Sequence, residues 1–426
     1  MAKKGKRFRA GGAHGGKERR DFGPAPVPHP SIYNMRRFKS IEEAGRAIEL
    51  DPSDAGAYCE RGFFYMQNGR YENAIADYSR AIQLDPDAPY AYDGRGGVYL
   101  LAEDYARALS DLNKAIKIAP GVPMCYLHRG ALYMKKRMYS QAIADFTEAL
   151  KINPEIIEAY GGRGEAYYGE KNYDRAIDEY GLALELSPDY AHWYDMRAEA
   201  YREKGDFEKA AADYSRAIEL GIADDRIYCN RGLAYESIKD YERAAADFDR
   251  SIELNPKNTA AYNNRGTIQT AKGDYDGAIY YYDRAIESDP HYIMAYTNRG
   301  FACSKKGDYD GAVRDFDRAL KLGVRDVKVY YNRGISHLGM GNHDLAIADL
   351  NVVIKMNPQA TAYHKRGSAY MDKNDYDSAI ADFNEALKLS PDFKDAYAGL
   401  GFAYTKKSEQ YQALAASAIM KAAGLG

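Results

Sequence analysis

Four asparagines, Asn230, Asn264, Asn298 and Asn332, recur every 34 residues, each two places before a glycine. A carboxamide offers two donors and an acceptor without charge, so a row of them suits the backbone of an extended peptide whatever its side chains. The column tolerates other residues, because Glu60, Gly94, His128, Gly162, Met196, Lys365 and Gly399 stand at the same place elsewhere. Beside it runs an arginine column: Arg61, Arg95, Arg129, Arg163, Arg197, Arg231, Arg265, Arg299, Arg333 and Arg366. Alone, that column resembles a ladder for phosphate. A matching acidic column (Asp77, Asp111, Asp145, Glu179, Asp213, Asp247, Asp315, Asp349, Asp382) favours structural pairing instead. Repeated Arg–carboxylate bonds stitching helices together use both columns.

Other reactive residue types form no catalytic pattern. Gly11-Gly12-Ala13-His14-Gly15-Gly16-Lys17-Glu18 grazes a phosphate-loop spacing, but lacks the Ser or Thr that holds magnesium, and no strand precedes it. The eight histidines have no metal-ligand spacing; His337 and His343 lie six apart across an expected turn. Cys59, Cys125, Cys229 and Cys303 are too few and scattered for a disulfide framework. These residues imply no enzyme, cofactor, metal or small-molecule substrate.

The elements that must position these columns repeat with the same period. Ala57-Tyr58-Cys59-Glu60-Arg61-Gly62 returns as Ala91-Tyr92-Asp93-Gly94-Arg95-Gly96 and again at later glycines. Tyr58, Gly62 and Tyr65 lie on one face of a helix, and Tyr71, Ala74, Ile75, Tyr78, Ala81 and Ile82 on one face of the next. Asn68-Gly69-Arg70 supplies the turn between them, and Pro86 ends the unit. Gly221 and Gly323 end helices where that proline is missing. An alanine column from Ala74 to Ala379 lets the paired helices approach, and most of the 40 tyrosines fill framework columns around it.

In these columns the sequence resembles the tetratricopeptide repeat family, whose pattern is matched by Tyr58, Gly62, Tyr65, Ala74, Tyr78, Ala81 and Pro86. The resemblance implies an all-α fold. It would be an α-solenoid of about eleven antiparallel helix pairs wound into a right-handed superhelix with a concave groove. In the family the Asn column lines that groove, and similar ladders occur in the repeat superhelix of the O-linked N-acetylglucosamine transferases. The arginine column departs from the family, which usually has an apolar residue there. Members that grip a chaperone's C-terminal carboxylate use a Lys followed four residues later by Asn. Only Lys328 and Asn332 have that spacing here, and every other unit lacks it, which disfavours such a ligand. The expected division is a disordered basic arm over 1–40, a degenerate half-repeat over 41–54, ten repeats over 55–393, and a degenerate repeat with capping helix over 394–426.

Charge is distributed unevenly. Residues 1–40 hold 11 Lys or Arg against Glu18 and Asp21, whereas the whole chain is −3. The chain taken whole is therefore not a basic nucleic-acid binder. On the groove face, early repeats offer apolar Phe63, Met66, Tyr90, Leu100, Met124, Leu127 and Met134. The middle repeats offer Glu158, Glu165, Asp195, Glu199, Glu203 and Glu236, opposed by Arg202 and Arg226. The later ones add Tyr331, Lys305, Lys328 and Lys365 to the asparagines. The leading expectation is a scaffold binding an extended peptide of a partner protein through Asn230, Asn264, Asn298 and Asn332, with Tyr331, Lys305, Lys328, Tyr90, Phe63, Glu165 and Glu199. An alternative has residues 1–20 tether the solenoid to nucleic acid or an anionic membrane. The apolar helix from Tyr411 to Ala423 either docks on the last repeat, the favoured reading, or forms a weak homodimer. With no signal-like or transmembrane segment, a cytoplasmic location is expected.

Overall fold

The computed structural model describes residues 37–422, with side chains described as far as residue 417. The expected basic arm lies outside the described residues up to residue 36. Among the described residues there are 22 helices and no strand. They form an α-solenoid, arranged in two compact units divided after Ile238.

The first unit opens with a single helix, Ile41–Leu50. Five helix pairs follow, from Ala55–Gln67 with Tyr71–Leu84 to Ala191–Lys204 with Phe207–Glu219, and Asp225–Ser237 ends the unit. The second begins with Tyr241–Leu254. It continues through four pairs, from Thr259–Lys272 with Tyr275–Ser288 to Ala360–Asp372 with Tyr376–Leu389, and finishes with Lys394–Ala422. Local chemistry sets these boundaries. Each of the nine turns inside a pair contains one left-handed residue, such as Gly69 at φ 69° or Gly273 at 80°, and so does the link at Lys239. Glu103, Arg137, Lys171, Lys239 and Asn374 adopt the same conformation at a steric cost that glycine avoids. Asp104, Asn172, Asp240, Asp274, Asp308 and Asp375 then cap second helices by accepting from an N–H three residues on. Gly221 and Gly323 are left-handed too, at φ 108° and 101°.

Packing follows the small-residue columns. Every alanine from Ala74 to Ala379 in that column is fully buried. Aromatic rings of the second helices wedge between glycines of successive repeats. A Cβ added at Gly94 would lie 2.5 Å from the Tyr78 ring, and one at Gly162 would lie 2.6 Å from Phe146. Within each unit successive first helices also touch directly, so they form the tighter layer of the stack.

The C-terminal end departs from expectation. Lys394–Ala422 is one continuous helix of 29 residues, with no turn near residue 408. In place of a left-handed residue the chain has Ser408-Glu409-Gln410, which continue a helix readily. Residues 408–417 are all exposed, so this segment does not fold back onto the preceding repeat. Tyr397, Phe402, Tyr404, Tyr411 and Leu414 consequently stand open along it.

Candidate functional site

The arginine column forms clips. Arg61 grips Asp77 through Nε and Nη2 at 2.7 and 2.8 Å, and Arg95, Arg129, Arg197, Arg299, Arg333 and Arg366 hold their aspartates in the same two-bond manner. Arg163 holds Glu179 at 2.8 Å. The remaining guanidinium nitrogen reaches back to the second helix of the preceding repeat. It finds Ser79, Asn113 and Thr147 in early repeats and Asp283 and Asp317 in later ones. Arg95, Arg129, Arg163, Arg299, Arg333 and Arg366 thus join three helices, and most of the column also lies over the tyrosine three residues earlier. Arg265 is the exception. Tyr281 occupies its partner's place, and the guanidinium lies over that ring at 4.8 Å while bonding Asp249 at 2.9 Å. Burial pushes the carboxyls of Asp145, Glu179 and Asp315 up despite their arginines, so desolvation outweighs pairing there.

With that frame fixed, the first helices present columns three and two residues before the glycine, and one and four after it. In the first unit Asp195 and Glu199 are buried and share Arg226. Its Nη2 lies 2.7 Å from Asp195 Oδ2, and its Nη1 lies 3.4 Å from Glu199 Oε1. Asn230 donates to the same Glu199 oxygen at 3.2 Å. Glu199 and Asn230, expected as ligand contacts, are therefore tied into an internal network, because a buried carboxylate needs donors. Among the described residues Glu165 has His192 as its one ionic neighbour, at 4.0 Å. Phe63 is 3% exposed and packs edge-on against Phe64 at 6.0 Å, in a cluster with Cys59, Met66 and Tyr78. Tyr90 is half-buried, and burial pushes its hydroxyl up to about 12.

In the second unit Asn264 is buried and accepts from Asn263 Nδ2 at 3.2 Å, while Asn298 donates to Asn263 Oδ1 at 2.9 Å. Asn298 Oδ1 has no donor among the described residues. Asn332 is half-buried, and its carboxamide makes no hydrogen bond among them. The column is thus graded: Asn264 is internal, Asn298 half-committed and Asn332 open. Tyr331 is half-buried against Leu350 and Val353, Lys305 is exposed with its ammonium 5.4 Å from the Phe301 ring, and Lys328 is half-buried. Sequence reasoning missed Asn263, whose only signal is that Asn occurs twice running in that repeat. It also missed the buried Asp93–His128 pair at 2.8 Å, whose partners lie 35 residues apart.

The repeat geometry has a counterpart in known families. Tetratricopeptide repeat models match residues 44–76, 123–156, 157–190, 229–293, 281–314 and 304–361, and TPR repeat models match 64–102, 198–239 and 367–408. The chain belongs to the tetratricopeptide repeat family. A comparison with curated proteins finds no match. Among solved structures, a tetratricopeptide repeat protein from Parabacteroides merdae is 20% identical, with a TM-score of 0.44 over 58% of this chain and 98% of that one. MamA is 27% identical, with a TM-score of 0.36 over 37% and 93%. YrrB, described as a TPR protein with an unusual peptide-binding site, is 24% identical, with a TM-score of 0.37 over 42% and 92%.

Tetratricopeptide repeat proteins act as protein-interaction scaffolds. In this member the arginine clips replace an apolar framework position with a bonded one. Among the described residues no cluster of His, Cys, Asp or Glu is arranged to hold a metal ion. None of the described helices is long and apolar enough to cross a membrane.

Proposed function

We propose that this chain is a non-enzymatic scaffold that takes an extended peptide of a partner protein along its first-helix face. The observation that carries the reading is the pair Asn298 and Asn332. They stand one repeat apart in the second unit; Asn298 donates to Asn263 but keeps its carbonyl oxygen unused, and Asn332 keeps its whole carboxamide unused, among the described residues. Amides spaced along a groove bind peptide backbone without dictating side chains. Lys305, Lys328 and Tyr331 border them and would favour acidic or aromatic side chains. In the first unit Glu165 and Tyr90 play the corresponding part, whereas Asn230, Asn264, Glu199 and Phe63 shape the face from within. The proposal keeps residues 1–40 as an arm, 41–54 as a half-repeat, 55–393 as ten repeats and 394–426 as the closing segment, in a cytoplasmic protein. Self-association through the exposed side of the last helix belongs to the same reading.

The test uses a peptide selected from a random display library and isothermal titration. Asn298→Ala with Asn332→Ala removes two backbone hydrogen bonds worth ~1 kcal/mol each, so affinity should fall about 30-fold with helix content unchanged. Asn264→Ala should lower stability and leave affinity nearly intact. Equal affinity for wild type and the double variant would sink the proposal.

A further inference from the structure

The described chain begins on the ligand face itself. The backbone N–H groups of Arg37 and Phe38 both donate to Glu60 Oε2, at 2.9 and 3.0 Å, and Arg37 Nε lies 3.3 Å from Glu60 Oε1. The Arg37 guanidinium forks onto Asp54 at 2.9 and 3.0 Å, which holds the Asp54 carboxyl below its usual range. Glu60 occupies the column that carries asparagine in later repeats, and it is 2% exposed. Gly56 leaves the room, since a Cβ there would lie 2.3 Å from Arg37 Nη2. The described chain therefore begins, at Arg37, on the N-terminal end of that face.

Parts of that face are more deeply buried in the first unit than in the second, although Ala131, Glu165, Leu233, Leu100 and Tyr168 are half-exposed there too. One residue after the glycine, Phe63 and Glu199 are buried, while Thr267, Phe301 and Ile335 are half-exposed. Four residues after it, Met66 and Met134 are buried, while Thr270, Ser304 and Leu338 are half-exposed. His128 is also buried there, and its Nε2 has no hydrogen-bond partner among the described residues. Beyond the apolar early repeats, carboxylates exceed cations. Glu158 and Glu236 have no cation partner among the described residues, and burial pushes the Glu236 carboxyl up to about 7.

We infer that residues 1–36 are the first unit's own occupant, a segment of this chain that competes with any external peptide. This rests on the peptide-binding reading above. The order of side chains fits. Moving away from Arg37, the chain first offers Met35, Tyr33, Ile32 and a proline-rich run to Phe22, then the basic run from Arg20 to Lys3. The face offers apolar residues in the early repeats and carboxylates after them. Lengths agree as well. The 17 residues from Arg37 to Arg20 span about 53 Å at the polyproline rise of ~3.1 Å. Four helix spacings of ~10 Å put the Glu199 helix about 40 Å from the Glu60 helix. A tethered segment has an effective concentration on the order of millimolar, so a segment whose own dissociation constant for the face is ~10–100 μM weakens any rival about ten- to a hundred-fold. An external ligand that displaces it carries the same order, basic residues first and apolar residues after them.

The test compares full-length wild type with a full-length variant carrying Arg7→Ser, Arg9→Ser, Lys17→Ser, Arg19→Ser and Arg20→Ser. The probe is a fluorescent synthetic peptide of residues 1–36, followed by anisotropy. The variant should bind it at least ten-fold more tightly than wild type. Raising salt, or adding Glu158→Gln with Glu165→Gln, should weaken that binding. Equal binding by wild type and variant, or none by either, overturns the inference. A library-selected peptide serves as the second probe and separates the two readings. If it binds both chains alike, the scaffold reading stands and this inference falls. If it too fails on every chain, both fall. If the variant instead loses retention on a 20-mer RNA or anionic vesicles while peptide affinity is unchanged, the segment faces outward and the inference falls.

Discussion

Truncating Arg333 to alanine offers the sharpest check on the clip. The change removes two bonds to Asp349, at 2.9 and 2.6 Å, one to Asp317 at 2.6 Å, and the contact with the Tyr330 ring at 5.7 Å. Asp349 is 4% exposed, so it would be left as a buried carboxylate without its cation, a loss of about 3–5 kcal/mol. The Asp317 carboxylate is 44% exposed and adds under about 1 kcal/mol. The expected total is roughly 4 kcal/mol. Replacing both partners, Arg333→Met with Asp349→Leu, keeps volume and removes the orphaned charge, so it should return to within ~1 kcal/mol of wild type. Because repeat arrays depart from two-state unfolding, urea curves need hydrogen exchange over Val327–Gly339 beside them. The reasoning is refuted if Arg333→Ala costs less than about 1 kcal/mol, or if the double variant is as unstable as the single one.

Three further outcomes follow from the same structure. Gly162→Ala should cost about 1–3 kcal/mol because its Cβ meets the Phe146 ring, while Gly97→Ala, with nothing within 4 Å, should stabilise by up to ~1 kcal/mol; thermal melts of the pair decide it. The folded Glu236 carboxyl, raised by burial to about 7, holds its proton longer than the unfolded one. Its contribution is therefore most favourable at acid pH and is lost as pH climbs toward about 7. Glu236→Gln should then stabilise by ~2–3 kcal/mol at pH 8 and hardly at pH 4, and parallel denaturation curves at both pH values would expose a failure. Tyr411→Ser with Leu414→Ser should abolish concentration-dependent association in sedimentation velocity; identical profiles for wild type and variant would remove the last helix as a contact surface.

The sequence was most informative where one residue type recurs in register. The glycine, alanine and proline columns carried the helix pairs, and the aspartates opposite Arg61 through Arg366 pointed to the clips. Even the exception was visible, since Tyr281 breaks the acidic column and redirects Arg265. What escaped was whatever depends on a single neighbour. Asn264 and Asn332 look identical in the repeat pattern, yet one is buried beside Asn263 and the other is open. Glu199 and Arg226 read as opposing charges on the groove face, but their bond is internal. The last helix failed for a local reason, since nothing in the framework columns signals that a left-handed residue is missing at Ser408. Arg37 lies ahead of the first repeat, where periodicity gives no guidance.

Because most clips span the second helices of neighbouring repeats, each unit behaves under tension as a row of rivets in series. Pulled from its C-terminal end, the second unit should yield the long closing helix first and then one repeat at a time. Each rupture would release 34 residues, about 110–120 Å of contour length. Repeats whose arginine holds two carboxylates, as Arg299 and Arg333 do, should part at higher force than Arg265, which lacks the buried one.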